Sequence, residues 1–266
     1  IMAAPVFERV YNLGTNVEFE HISVEQGLSQ SSVFCVLQDH EGFMWFGTAG
    51  GLNKYDGYDF TVYKHDPSDT QSLSDNTVWS IVEDSYGILW VGTENGLNRF
   101  DRERERFIRY QNDLSDPHSL SHNTVLALYE DRQGMLWVGT RGGLNKFERS
   151  TGRFVHYRNN PSDAYSLSHD TVWTIYEDRE DVLWVGTSFG LNKFDRERGR
   201  FVRYERDSHD PYSLSHNLVR AIYEDRAGGL WVGTGGGGLN RFNREAENFD
   251  RYLVDPQGYD RDSFMY

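Results

Sequence analysis

The chain has 266 residues, 15% of them aromatic, with six prolines and a formal charge of −14. So much aromatic surface has to be buried, which excludes a disordered chain, and the acidic balance repels phosphate backbones and anionic headgroups, which excludes generic nucleic-acid and membrane-surface binding. The single cysteine, Cys35, excludes an intrachain disulfide and any Cys-x-x-Cys metal site.

No apolar run approaches the roughly 20 residues of a membrane span. The opening "IMAAPVFERV" lacks the charged and apolar regions of a signal peptide, as a processed chain or a piece of a longer one also would. Residues 1–18 read as an extension before a single repeat region over 19–266. "FEHIS" (Phe19 to Ser23) matches the last strand of a repeat unit. Complete units follow at about 28–64, 73–110, 120–157, 167–204 and 214–252, and "SFMY" at 263–266 reads as the start of another, so both ends carry part of a sixth.

The period is set by Trp45, Trp90, Trp137, Trp184 and Trp231, roughly 45 to 47 residues apart, which lies in the range of propeller blades. Each unit holds four short runs of β-branched and aromatic residues, in the second "TVWSIVED", "ILWVGT", "GLNRFD" and "RFIRY", here strands a to d. An Asp-x-x-Gly turn joins a to b, as at Asp84 to Gly87, with Asp181 in the glycine slot of the fourth unit. Gly92, Thr93, Gly96 and Leu97 mark the reversal from b to c. Between d and the next a run polar linkers stiffened by Pro67, Pro117, Pro161 and Pro211, and Pro256 opens a fifth.

Four antiparallel strands cannot bury both faces alone, whereas sheets stacked around an axis can. The expected fold is therefore all-β, a β-propeller of four-stranded antiparallel blades, five complete here plus an extra N-terminal strand. The strand b tryptophans, with Phe107, Tyr110 and their equivalents, are expected to pack between blades. "YEDR" and "FDRERER" read as solvated surface or turn residues.

With "GLSQSSVFCVLQDHEGFMWFGTAGGLNKYDGYDFTVYKHDP" and the recurrent N-x-V-x-x-I-x-E-D-x-x-G-x-L-W-V-G-T-x-x-G-L-N-R-F, the chain resembles the two-component regulator propeller repeat family from Phe19 to Tyr252. The resemblance implies propellers of usually seven blades. It implies a periplasmic or extracellular sensor region of membrane-bound hybrid histidine kinases and some diguanylate cyclases, several of which sense carbohydrates. It also implies that any membrane contact runs through segments absent from these residues, which carry no kinase, receiver or cyclase module. The preferred arrangement is part of a larger, about seven-bladed propeller, and the alternative is a closed five-blade ring with the extra strand displaced.

Binding is expected where the units disagree, at the end of the ring shared by the d-to-a and b-to-c connections. One discordant slot follows the strand a valine (Phe34, Trp79, Leu126, Trp173, Arg220), and another follows the Gly-Thr pair (Ala49, Glu94, Arg141, Ser188, Gly235). Phe34, Trp79, Arg141, Trp173 and Arg220 are the candidate ligand residues, suited to a sugar or carboxylate by stacking and bidentate hydrogen bonding. Against this stands the reading that they only fill inter-blade volume.

His122, His169 and His216 share a slot on different blades, too far apart for zinc, and read as holding the loop before strand a. No D-x-D-x-D-G loop supports calcium. No metal or cofactor is assigned. Cys35 aligns with Ser80, Ala127, Thr174 and Ala221 and reads as a small buried side chain. No GxSxG, HExxH or phosphate loop is present, so no catalytic residue is assigned. The expected function is a non-catalytic sensor for a small molecule or glycan. The alternatives are a scaffold self-associating through its faces or open edges, or binding another protein, and a propeller lyase or glycosidase with a carboxylate pair at the axis.

Overall fold

The computed structural model describes residues 22–252. Twenty strands, β1 to β20, form five four-stranded antiparallel sheets, each paired in chain order. The second blade is β5 (Val78–Glu83), β6 (Leu89–Thr93), β7 (Gly96–Asp101) and β8 (Arg106–Tyr110). The first strands of successive blades, β1 (Val33–Gln38), β5, β9 (Val125–Glu130), β13 (Val172–Glu177) and β17 (Val219–Glu224), lie side by side and line the axis. The fold is a β-propeller, as the repeat requires. The expected strand at Phe19 to Ser23 lies outside the described residues except for Ile22 and Ser23, and Ser23 caps a 3-10 turn at Val24–Gln26. The segment 263–266 and the Pro256 linker also lie outside them.

Within a blade, the Asp of the a-to-b turn organises the reversal. Asp84 Oδ1 accepts the N–H groups of Tyr86 and Ile88 at 3.0 and 2.9 Å, and Gly87 takes φ +73°. Asp181 occupies that left-handed slot at φ +62°, a backbone conformation that Asp tolerates better than most residues.

Between blades, aromatic rings interlock. Trp90 meets Phe147 of the next blade edge-on at 5.2 Å, and Trp137 meets Phe194 at 5.4 Å. Each buried Phe of the set, Phe154 for example, contributes about 2 kcal/mol through the surface it removes from water. In the first four blades the glycine of the Leu-Trp-Val-Gly-Thr or Met-Trp-Phe-Gly-Thr strand makes room for the next blade. A Cβ on Gly92 would lie 2.6 Å from Val125 Cγ1, and one on Gly186 would lie 2.6 Å from Val219 Cγ1.

At the a-to-b end, the charged segments are turn and surface residues as expected at Arg132 and from Glu103 to Arg106, but an Asp of each of the first four units and an Arg of each unit after the first are drawn into a blade boundary. Asp84 and Asp131 are buried, and each accepts a Trp indole N–H and a guanidinium from the following blade: Trp90 at 2.6 Å and Arg149 at 2.7 Å, then Trp137 at 2.7 Å and Arg196 at 2.9 Å. Asp39 with Arg102 and Asp178 with Arg244 repeat the arrangement. The same arginines pair with the Glu that ends their own first strand, as Arg149 does with Glu130 at 2.9 Å. The Asp and Arg lie 65 residues apart in sequence at Asp84 and Arg149, so the pairing is invisible within one unit.

At the opposite end a second frame repeats. Ser74 Oγ and Thr93 Oγ1 share a hydrogen bond of 2.8 Å, and Asn98 accepts the Ser74 N–H at 2.9 Å while donating to Val91 O. Ser121, Thr140 and Asn145 do the same in the third blade. This frame is why the units spell out Ser-Leu-Ser, Gly-Thr and Gly-Leu-Asn. The linkers are shaped, as expected: Arg109 donates to the carbonyls of Asp69, Ser72 and Leu73.

The described blades form an open arc. Each neighbouring pair of first strands packs together, and no comparable contact joins β17 to β1. Val78, Val125, Val172 and Val219 are fully buried, whereas Val33 is 38% exposed. The alternative of a closed five-blade ring therefore does not hold.

Candidate functional site

In every blade the pairing of the first two strands skips one residue. The register jumps between Val33 and Cys35, Val78 and Ser80, Val125 and Ala127, Val172 and Thr174, and Val219 and Ala221. The residue passed over is Phe34, Trp79, Leu126, Trp173 or Arg220, so each member of the first discordant slot is a bulge residue. A bulge takes a side chain out of ladder pairing and re-aims it. The position therefore tolerates an aromatic, an aliphatic or a cation on the same backbone.

The second discordant slot lies beside the first. The b-to-c turn is tied to the linker end by Glu94 N–H to Thr77 O at 3.0 Å and Arg141 N–H to Thr124 O at 3.2 Å, so both connections share one end of the propeller, as expected. Trp79 Nε1 donates to Glu94 Oε2 at 2.8 Å, and Trp173 Nε1 donates to Ser188 Oγ at 2.9 Å. Where the bulge carries an indole donor, the turn fifteen residues on carries an acceptor. Glu94 also accepts from Thr124 Oγ1 of the third blade at 3.1 Å.

The candidate residues gather into two groups. Phe34 stacks on Trp79 across a blade boundary, with ring centroids 4.6 Å apart. Arg141 reaches the far side of Glu94 at 3.9 Å and joins this group. The Arg220 guanidinium lies 3.6 Å above the Trp173 ring and forms the second. Leu126, buried, stands between them in blade order. Among the described residues no hydrogen bond, ion pair or ring contact joins Arg141 to the Trp173 and Arg220 pair. Phe34 and Arg220 are exposed, and Trp79 and Trp173 are half-buried, so both groups present flat apolar surface with a charge beside it.

Sequence reasoning left Glu94 and Ser188 in the variable turn slot without a role. Their signal was present: each stands fifteen residues after a bulge Trp, and the bulges without an indole lead to Ala49, Arg141 and Gly235.

The remaining candidates have local duties. His122, His169 and His216 each accept through Nδ1 from the backbone N–H two residues on, at 3.0, 2.9 and 3.1 Å, and Asp75 does so in the second blade. Each side chain is thereby fixed as a loop brace. Among the described residues no three His, Cys, Asp or Glu side chains are gathered as metal donors. Burial pushes the Cys35 thiol up to about 12, so it is not a nucleophile at neutral pH.

The family description Two component regulator propeller matches residues 27–50, 72–95, 119–142, 166–189 and 213–236, each match running from the loop before strand a to the b-to-c turn. The repeats belong to the two component regulator propeller family. Among solved structures, the chain is similar to the extracellular domain of a hybrid two component system from B. thetaiotaomicron, with 33% identity and a TM-score of 0.76 over 87% of this chain and 31% of that one. Virginiamycin B lyase from Staphylococcus aureus, 16% identical with a TM-score of 0.61 over 85% of this chain and 71% of the enzyme, shares the fold. A histidine kinase of Formosa agariphila is 45% identical over 56 residues, 21% of this chain and 4% of the kinase. The two component regulator propeller repeats here thus span about a third of the solved hybrid-system domain and a small part of the kinase. The chain is homologous to extracellular domains of two component systems. Among the described residues no helix is long and apolar enough to cross a membrane.

Proposed function

We infer that the chain is a non-catalytic, ligand-binding sensor propeller of a bacterial signalling protein, exposed to the periplasm or the exterior, and that its ligand is a carbohydrate or small carboxylated metabolite. The observation that carries this reading is the concentration of unlike residues on the bulges and adjoining turns of one end, inside an otherwise repeated frame. Half-exposed indole and phenyl faces suit the apolar face of a sugar, and the Arg141 and Arg220 guanidiniums suit a carboxylate or hydroxyl edge.

Thermal shift against oligosaccharides and sugar acids tests it, because a ligand that binds only the folded chain raises Tm by mass action. The expected result is a shift that Trp173→Ala and Arg220→Ala each abolish while the unliganded Tm stays close to the parent's. Shifts that survive both of these, Trp79→Ala and Arg141→Ala would remove the site from this end. Turnover of a glycan lost on Glu94→Gln would replace the sensor with an enzyme.

A further inference from the structure

Besides the Asp and Arg latch, the glycine socket and the interlocked tryptophans, neighbouring blades meet on the outer wall. There the last residue of each fourth strand, Tyr63, Tyr110, Tyr157 or Tyr204, packs against the next blade. Its ring is wedged edge-on against the two phenylalanines that flank that blade's c-to-d hairpin, at 5.2 to 5.4 Å from the first and 5.8 to 6.0 Å from the second. The hydroxyl is thus delivered to the same place at all four boundaries.

What meets it differs. Glu105, Gly152, Gly199 and Glu247 share one hairpin position, and all take a left-handed φ, of +50, +70, +63 and +50°. Glycine adopts that conformation freely, whereas a glutamate there is strained and needs a compensating contact. Both glutamates have one. Glu105 Oε1 accepts the Tyr63 hydroxyl at 3.1 Å. Glu247 Oε1 accepts from Lys193 Nζ at 3.0 Å, and burial and then the charge of Glu247 push the Tyr204 hydroxyl up.

The second boundary, between the second and third blades, and the third, between the third and fourth, lack this carboxylate and keep its surroundings. A Cβ on Gly152 or Gly199 would meet no heavy atom within 4 Å. Arg99 and Lys146 lie across from Ile108 and Val155 in their sheets as Lys193 lies across from Val202. Among the described residues neither cation has an ion pair or hydrogen bond, and nothing accepts the hydroxyls of Tyr110 and Tyr157. Ile108 and Val155, beside them, are 44% and 36% exposed.

We propose that these two boundaries form a pair of carboxylate slots for an extended acidic peptide segment of a partner protein, one carboxylate lying against Arg99 and Tyr110 and another against Lys146 and Tyr157. The chain itself shows the chemistry of the occupant, because a glutamate fills the same space at the boundaries on either side. One such contact at an exposed position is weak, and two in adjacent grooves on one ligand reinforce each other. Exposed Ile108 and Val155 offer apolar side chains of the segment a place to lie, which favours a peptide over a free small acid. The slots are on the outer strands, away from the bulges, and do not rest on the sensor reading.

The test titrates a fluorescein-labelled peptide, with glutamates spaced by leucine and serine, into the full chain at low salt and reads anisotropy. Gly152→Glu with Gly199→Glu gives each slot the chain's own carboxylate and should weaken binding by roughly tenfold or more. Arg99→Gln with Lys146→Gln should weaken it comparably, and Glu105→Gly with Glu247→Gly, which opens two further slots, should strengthen it. Thermal melts confirm that each variant is folded. The same peptide with glutamine for glutamate should not bind. No binding by the parent chain, undiminished binding by the folded double glutamate variant, or equal binding of the glutamine peptide would overturn the proposal. So would displacement of the peptide by acetate matched in carboxylate concentration, because a free small acid would then be the occupant.

Discussion

The two ends of the propeller use repetition in opposite ways. At the a-to-b end, four buried aspartates hold four indoles and four guanidiniums in the same geometry, and no blade boundary departs from the rule. At the other end an equally regular Ser, Thr and Asn frame surrounds one bulge residue per blade that is different almost every time. The lesson is a division of labour: stability is written identically into each boundary, and variation is confined to positions that the ladder does not use.

The contrast can be broken first at the latch. Asp131→Ala leaves the Trp137 N–H, two backbone N–H groups and Arg196 without their acceptor, and is expected to cost about 3 kcal/mol in urea unfolding. Asp225→Ala, which among the described residues strands no arginine of a following blade, is expected to cost clearly less. Equal losses would mean that the guanidinium adds nothing.

Next comes the interface socket. Gly92→Ala drives a methyl group against Val125 and Ser80 and is expected to cost about 2 kcal/mol, read from the same titration.

Acid probes the latch without mutation. Burial works against ionisation of Asp39, Asp131 and Asp178, but the indole N–H bond and the neighbouring guanidinium outweigh it and hold all three below the usual carboxylate range. Groups that ionise more easily in the folded chain contribute their full stability above the unfolded value of about 4 and lose it as pH falls through the folded values. Urea midpoints measured from pH 5 downward should decline steadily. A profile that is level below pH 4 would contradict the arrangement.

The smallest effect is expected at the variable end. Trp79→Phe keeps the stack on Phe34 and loses the bond to Glu94, for about 1 kcal/mol or less, a value that a double-mutant cycle with Glu94→Gln can isolate.

Much of the frame was legible in the residues. The strand boundaries, the Asp-x-x-Gly reversals, the inter-blade tryptophans and the loop-bracing histidines all follow from local pattern, because each depends on neighbours within one unit. Two features were not. The Asp and Arg of the latch belong to different units and look like ordinary surface charge when read singly. The partnership of Trp79 with Glu94 requires the strand register, including its one-residue skip. The openness of the arc was the preferred expectation, and among the described residues Val33 and Gly233 lack the partners that Val78 and Gly186 have.

The one-residue skip also bears on how such a protein can change. Side chains freed from cross-strand pairing can be exchanged without disturbing the ladder, and the compensating changes are confined to the adjoining turn and the neighbouring bulge, as with Trp79, Glu94 and Phe34. A library randomised together at Phe34, Trp79, Leu126, Trp173 and Arg220 and at the adjoining turns should contain mostly folded members, because the ladder and the blade boundaries are left untouched.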